Sequence, residues 1–174
     1  MDNMTIPEGY EDAITFTTGT DNNNAGIVGG TWMASYLAAQ GKDSINMVYI
    51  SSQSEQQIKR CAGFVQGLED NGITVNLLNT YDGGEREKAM RAGEDALTAC
   101  SDLELIYGAS AQDSLGAYDA TAGANRTEVM VVGFDGEDEE LEKIDAGGNY
   151  IGTVTQDPRG QAALVVEQVQ KWQK

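Results

Sequence analysis

The chain has 174 residues, of which 28 are acidic and 11 are basic, and its formal net charge is −17. This length suits one α/β domain with a full core, and the shortage of positive charge disfavours nucleic acid and anionic membrane surfaces as partners. Histidine is absent, which removes histidine acid–base catalysis and the commonest transition-metal ligand and makes an enzyme less favoured.

Short strand-like segments alternate with helix-like segments from residue 13 onward. The strand-like segments are rich in β-branched and other apolar residues. They predict strands at 13–18, 45–50, 73–78, 103–107, 129–134 and 150–155. Between them, apolar residues recur at helical spacing. This spacing predicts helices between residues 21 and 41, between 54 and 71, at 85–100, at 110–122, at 137–145 and from 158 onward.

This alternation predicts an α/β fold with an open, doubly wound, mostly parallel sheet flanked by helices. In such a sheet the loops that follow the strands lie together at the carboxyl edge, where ligands bind. Here they carry hydroxyl, amide and carboxylate side chains, which suit a ligand covered in hydroxyl groups. The same residue types are also favoured in turns and as helix N-caps, and Asp21 fits an N-cap. The loops are 20–24, 51–54, 81–84, 108–111, 135–136 and 156–157.

Two charged residues stand out near this edge. The apolar run at 131–134 leads directly into Asp135, as expected where a buried strand delivers a carboxylate to a ligand crevice. A simple turn residue is the alternative interpretation. Arg60 lies in the first turns of a predicted helix, where the helix dipole disfavours a cation. Arg60 therefore needs a partner, either at a functional site or in a surface ion pair.

Several other motifs favour ordinary structural roles. Cys61 and Cys100 are predicted to be small buried side chains within helices, because their spacing is not that of a metal or redox pair. The acidic run at 137–140 lacks the spacing of a calcium loop and suits the first turn of a helix. The glycine pairs at 29–30 and 83–84 lack the pattern of phosphate-binding loops. We therefore expect no metal site and no cofactor.

Five short motifs occur in the order found in one protein family. They are GTDN at 19–22 with AG at 25–26, Arg60 followed by GF at 63–64, LGA at 115–117, VVGFDG at 131–136 and TQDP at 155–158. From residue 13 onward, nearly the whole chain resembles the carboxyl-terminal lobe of sugar-binding periplasmic proteins of the ribose-binding type. These proteins belong to the type I periplasmic binding protein and LacI-like superfamily.

The resemblance implies a domain organisation. Family members have two doubly wound lobes that are joined by three hinge strands and close on a sugar. Residues 1–18 would be a remaining segment and strand of the first lobe, 19–156 the carboxyl-terminal sugar-binding lobe, and 157–174 a helix that returns to the first lobe. The chain is therefore expected to be a piece of a protein about twice as long.

The resemblance also implies roles for individual residues. Arg60 matches the arginine that donates a fork of hydrogen bonds to sugar hydroxyls, and Asp135 matches the carboxylate that accepts from them. Gln156 matches a hinge amide that reaches the ligand, and Asp21 lies at another hinge crossing. Ser110 stands where the family usually has Asn-Asp. These five residues are the expected ligand-binding set.

The implied function is that of the solute-binding component of a bacterial ABC-type sugar importer, which passes its sugar to a membrane permease. The implied location is periplasmic or extracytoplasmic, with a lipoprotein anchor in a Gram-positive organism. Ribose-type receptors often supply a stacking aromatic ring where this chain has glycines at 83–84. The ligand is therefore expected to be a pentose, another monosaccharide or a sugar-like signal.

Two other functions share parts of this pattern. The effector-binding core of a LacI-type sugar-responsive transcription regulator has the same fold. An enzyme that uses Asp135 as a phosphoacceptor is disfavoured, because no acidic cluster follows the first strand and no lysine follows the last. A lobe on its own is also expected to expose an apolar patch that favours self-association.

Overall fold

The computed structural model describes residues 18–172, and of Trp172 it describes the backbone alone. The chain divides into two compact units. The larger unit is Asn22–Thr155, and the smaller unit combines the described residues on either side of it, 18–21 and 156–172. Of the strand predicted at 13–18, only Thr18 lies among the described residues.

The larger unit contains five helices and five strands that alternate in the predicted order. Its helices are α1 (Asn22–Ala39), α2 (Glu55–Asp70), α3 (Arg86–Ala99), α4 (Ala111–Gly123) and α5 (Asp138–Ala146). Its strands are β1 (Ser44–Ser51), β2 (Thr74–Asp82), β3 (Leu105–Gly108), β4 (Met130–Asp135) and β5 (Tyr150–Thr155). The smaller unit contains helix α6 (Pro158–Trp172).

The five strands form one parallel sheet in the order β2-β1-β3-β4-β5. The chain runs outward from β1 to β2 and then passes back over β1 to β3, so the strand order reverses between β1 and β3. Helices α1 and α2 pack on one face of the sheet, and α3, α4 and α5 pack on the other. The predicted open, doubly wound α/β fold is confirmed. Ligand crevices of such sheets open at the reversal, beyond the carboxyl ends of the strands.

Each face of the sheet has its own hydrophobic core. Phe64 of α2 and Tyr107 of β3 belong to the first core, and Leu115 of α4 and Ile106 of β3 belong to the second. Ile106 and Tyr107 are neighbours in sequence, and they enter opposite cores because successive side chains of a strand point to opposite faces. Strands covered on both faces read as continuous apolar runs, which is why these strands were visible in the sequence.

Strand β2 is longer than the sequence indicates. It continues to Asp82, which lies opposite Ser51 of β1, and Tyr81 likewise lies opposite Ile50. The predicted loop at 81–84 therefore begins only at Gly83. The polar residues at the end of β2 do not look like a strand, but backbone pairing with β1 keeps them extended whatever their side chains are.

The two cysteines are both free and differ in environment. Cys61 is buried in α2, as predicted. The prediction of a buried Cys100 within a helix is wrong, because Cys100 caps the carboxyl end of α3 and is half-buried. A cap residue lies at the boundary between helix and turn, where burial on all sides is rare.

The acidic run at 137–140 forms the start of α5. Glu137 is the N-cap, and it forms a capping box with Glu140 in which each side chain accepts a hydrogen bond from the backbone of the other residue. This arrangement satisfies two backbone donors that the helix leaves unpaired. Within residues 18–172, no helix combines the length and the apolarity that crossing a membrane requires.

Candidate functional site

Helices α1 and α2 touch through glycines beside the candidate site. A β carbon added at Gly26 would lie 2.3 Å from the carbonyl oxygen of Arg60, and one added at Gly63 would lie 2.1 Å from the carbonyl oxygen of Asn23. Only hydrogen fits at these positions, so the two backbones are in direct contact. This contact brings the beginning of α1 next to the Arg60 side chain.

The guanidinium of Arg60 is held on several sides. Its Nε donates to Asn22 Oδ1 at 2.8 Å, and its NH1 donates to the Ala109 carbonyl oxygen at 2.9 Å and to Asp135 Oδ1 at 3.2 Å. The guanidinium carbon lies 3.9 Å from the centre of the Phe134 ring, in the geometry of a cation–π contact. Arg60 is 5% exposed. The interpretation as a surface ion pair is therefore wrong, and the partner of Arg60 is Asp135 at the carboxyl edge.

Asp135 ends β4 with an unusual backbone. Its φ is 111°, a value that residues other than glycine rarely adopt. Such a conformation costs about 1–3 kcal/mol and persists only where the surroundings fix it, which is common at ligand sites. Its Oδ2 accepts a hydrogen bond from the Ala111 backbone at 3.1 Å, and its side chain is 24% exposed. Asp135 is thus fixed in place but remains accessible to a ligand.

Ser110 lies between the two residues that contact this pair, Ala109 and Ala111. It is the N-cap of α4 and is half-buried. Its hydroxyl donates to Asp113 Oδ2 at 2.7 Å, and the Gly84 backbone donates to Asp113 Oδ1 at 2.6 Å. Ser110 therefore lies at the same edge of the sheet as Arg60 and Asp135.

Asp113 is a residue of this edge that the sequence did not reveal. It is fully buried and connects the loop after β2 to the start of α4. Burial raises its pKa, the negative charge of Asp135 adds to the effect, and the hydrogen bonds from Gly84 and Ser110 oppose it. An aspartate inside the first turn of a helix looks like an ordinary helix-stabilising residue, so its sequence position gives no signal.

Asp21 and Gln156 lie in the smaller unit. The Thr20 hydroxyl donates to Gln156 Oε1 at 2.6 Å, and Gln161 Nε2 donates to the Thr20 hydroxyl at 2.9 Å. Asp21 directly precedes α1, which is the place of an N-cap. The convergence of Asp21 and Gln156 with Arg60 and Asp135 stays a prediction.

The sequence also missed Asn22 and Phe134, which hold the Arg60 guanidinium. A signal for Phe134 exists, because side chains alternate along a strand and Phe134 must face α1 and α2 when Asp135 faces α4. Asn22 gives no comparable signal. Within the described part of the chain, no three Cys, Asp or Glu side chains are arranged to ligate a metal ion.

These features define an α/β unit with a candidate ligand site, and comparisons with known proteins identify its family. The chain matches the periplasmic binding protein domain family over residues 6–173. It is 30% identical to the ribose import binding protein RbsB of Salmonella typhimurium over 152 residues, which cover 87% of this chain and 50% of the relative. The chain therefore belongs to the periplasmic binding protein family and is of its ribose-binding type. It spans about half the length of the curated relatives it matches.

Solved structures are similar to this chain as well. A periplasmic solute-binding protein of an ABC transporter from Actinobacillus succinogenes, with bound D-allose, has a TM-score of 0.79 and 22% identity over 99% of this chain and 61% of its own. An ABC transporter solute-binding protein from Mycobacterium smegmatis, with bound glycerol, has a TM-score of 0.72 and 28% identity over 88% and 53%. These relatives are binding proteins of transport systems rather than enzymes.

Proposed function

We propose that this chain is the carboxyl-terminal lobe of an extracytoplasmic solute-binding protein, which binds a monosaccharide or sugar-like ligand and delivers it to the permease of an ABC importer. The observation that carries the proposal is the pairing of buried Arg60 with Asp135 at the carboxyl edge of the sheet. The ribose import role of one relative and the D-allose bound to another support a sugar as the ligand class. The second lobe, the permease and the sugar itself belong to the proposal.

The geometry of the pair suits a polyhydroxyl ligand. Sugar hydroxyls both donate and accept hydrogen bonds, and charged partners form the stronger ones. Asn22, Ala109 and Phe134 all contact the Arg60 guanidinium and hold it in one orientation. A side chain that is already ordered loses little conformational entropy on binding. The pair is therefore preorganised for a ligand that bridges a cation and a carboxylate.

The remaining predicted residues extend this site. We assign the Ser110 hydroxyl to the same ligand, because Ser110 lies on the loop that contacts both Arg60 and Asp135. Gln156 and Asp21 are assigned by the family pattern alone. Binding between two lobes would also allow the other lobe to cover the ligand at this edge.

The test is an NMR titration of the isotope-labelled chain with D-ribose, D-allose and L-arabinose. One lobe presents half of a binding surface, so we expect weak, roughly millimolar affinity, with the largest shifts at Arg60, Ser110 and Asp135. Asp135→Asn should abolish these shifts. Glu104→Gln is the matched control, because Glu104 also forms an ion pair, with Lys42, but directly before β3 and thus at the opposite edge of the sheet.

Three outcomes would contradict the proposal. The absence of shifts with all three sugars would overturn the ligand class. Shifts that persist in Asp135→Asn would overturn the site. Micromolar affinity of this chain alone would contradict the idea that a second lobe completes the site.

A further inference from the structure

The turn that carries Asp135 needs an explanation of its own. Asp135 and Gly136 both have positive φ, 111° and 74°, and together they connect β4 to Glu137, the N-cap of α5. A two-residue link with this geometry is unfavourable for aspartate. Whatever fixes Glu137 on the far side of the turn therefore also constrains the backbone of Asp135.

One buried carboxylate fixes the far side of this turn. Glu140 is 0% exposed, and its Oε2 accepts a hydrogen bond from the Glu137 backbone at 2.9 Å. Its Oε1 accepts from the Tyr150 hydroxyl at 2.6 Å and from the Thr153 hydroxyl at 2.8 Å. The Ser114 hydroxyl lies 3.2 Å from the same oxygen. Glu140 thus ties the start of α5 to β5 and to α4.

The backbone of β4 is shaped to admit this carboxylate. A β carbon added at Gly133 would lie 2.2 Å from Glu140 Oε1 and 2.2 Å from the Tyr150 hydroxyl. The carboxylate therefore lies directly against β4, two residues before Asp135. A methyl group at position 133 would displace the Glu140 carboxylate, which gives a steric reason for the glycine of the VVGFDG motif.

We propose that Glu140 is a positioning residue of the candidate ligand site, which holds the Asp135 turn so that the Asp135 carboxylate faces Arg60. The part of this proposal that concerns sugar binding rests on the function proposed above. Oε1 anchors α5 to the rest of the fold, and Oε2 transmits that anchoring to Glu137 and the turn. Without Glu140, the turn is free to relax toward negative φ and to move the carboxylate away from Arg60.

The experiment compares Glu140→Ala with Thr153→Val by NMR on the ligand-free, isotope-labelled chain. Thr153→Val removes one donor to Oε1 at nearly constant volume but leaves the bond from Glu137 to Oε2. The amide–Hα coupling and the intraresidue amide–Hα cross-peak of Asp135 report the sign of its φ. We expect both signals to change in Glu140→Ala and to stay unchanged in Thr153→Val, although both variants lose thermal stability. Glu140→Gln should restore the wild-type signals, because its amide oxygen can accept from Glu137 while the hydroxyls reorient.

Two further measurements keep the idea testable if Glu140→Ala does not fold. Glu140→Met conserves the volume but offers no acceptor, so it should change the Asp135 signals in the same way. In the wild type, the Glu137 amide should exchange slowly with solvent. Wild-type Asp135 signals in a folded Glu140→Ala or Glu140→Met variant, equal changes in Thr153→Val, or rapid exchange at Glu137 would each overturn the positioning role.

A titration with D-ribose and D-allose then separates the two proposals. Glu140→Ala should weaken binding roughly tenfold, the equivalent of one charge-assisted hydrogen bond, whereas Thr153→Val should leave the affinity unchanged. A loss of the same size in Thr153→Val would show that Glu140 does not act through the Asp135 turn. A wild-type chain that binds neither sugar would overturn the proposed function, while the ligand-free signals of Asp135 would still decide the role of Glu140.

Discussion

The contact between α1 and α2 predicts that Gly26→Ala destabilises the larger unit. The added β carbon would lie 2.3 Å from the Arg60 carbonyl oxygen and 2.9 Å from the Phe64 backbone nitrogen. Restoring an ordinary contact of about 3.4 Å would move the helices apart by roughly 1 Å. Overpacking of this kind costs about 1–3 kcal/mol, whereas alanine is favoured over glycine inside a helix by about 1 kcal/mol. We therefore expect a net loss of up to about 2 kcal/mol.

The assay is urea unfolding followed by circular dichroism, with Gly123→Ala as the control. Gly123 is the last residue of α4, and a β carbon there would have no neighbour within 4 Å. Gly123→Ala should therefore keep or slightly raise the midpoint, while Gly26→Ala lowers it at an unchanged slope. Separation of the helices should also weaken the bond from Arg60 to Asn22. A midpoint for Gly26→Ala at or above that of the wild type would refute the direct contact between the helices.

Three further predictions concern other parts of the molecule. Burial raises the pKa of Asp113 from its ordinary value of 3.8, so the ionisation of Asp113 costs stability as pH rises above that value. The urea stability of Asp113→Asn should therefore increase relative to the wild type between about pH 3.5 and about pH 7. A difference in stability between the two chains that stays constant over this range would contradict the prediction. Burial raises the pKa of the Cys61 thiol to about 12. Iodoacetamide, followed by mass spectrometry, should therefore modify the half-buried Cys100 first in the folded chain and both cysteines in urea. Equal modification rates of the two cysteines in the folded chain would argue against a buried Cys61. Helix α6 exposes Leu164 and Val166, which are 50% and 56% accessible. Sedimentation should therefore detect concentration-dependent self-association, and Leu164→Gln should reduce it. A chain that stays monomeric at high concentration would argue against an apolar patch that mediates self-association.

Part of the site could be anticipated from the sequence because its signals are local. Arg60 attracted notice because a cation is unfavourable near a helix start, and Asp135 because it follows a buried strand directly. Both inferences need only the immediate neighbours of each residue. Their meeting at the carboxyl edge then followed from the parallel topology, in which the loops after the strands share one edge.

The contacts that hold the site could not be predicted from the sequence in the same way. Glycines spaced four apart occur at 26 and 30 and again at 63 and 67, but the spacing does not say which helix each pair faces. Glu140 looks like one more acidic residue of a helix start, and nothing around it in sequence predicts burial against Gly133. Such contacts depend on which surfaces the fold brings together.

Local patterns therefore predicted the order of strands and helices, the parallel sheet and the edge at which polar residues collect, because hydrophobic periodicity is a property of neighbouring residues. The burial of Arg60 on Phe134 and its bond to Asp135, which lies 75 positions further along the chain, depend instead on the packed fold. The same is true of the positive φ of Asp135 beside the buried Glu140. Contacts over such separations arise only when helices pack on the sheet, and local patterns carry no record of which side chains then meet.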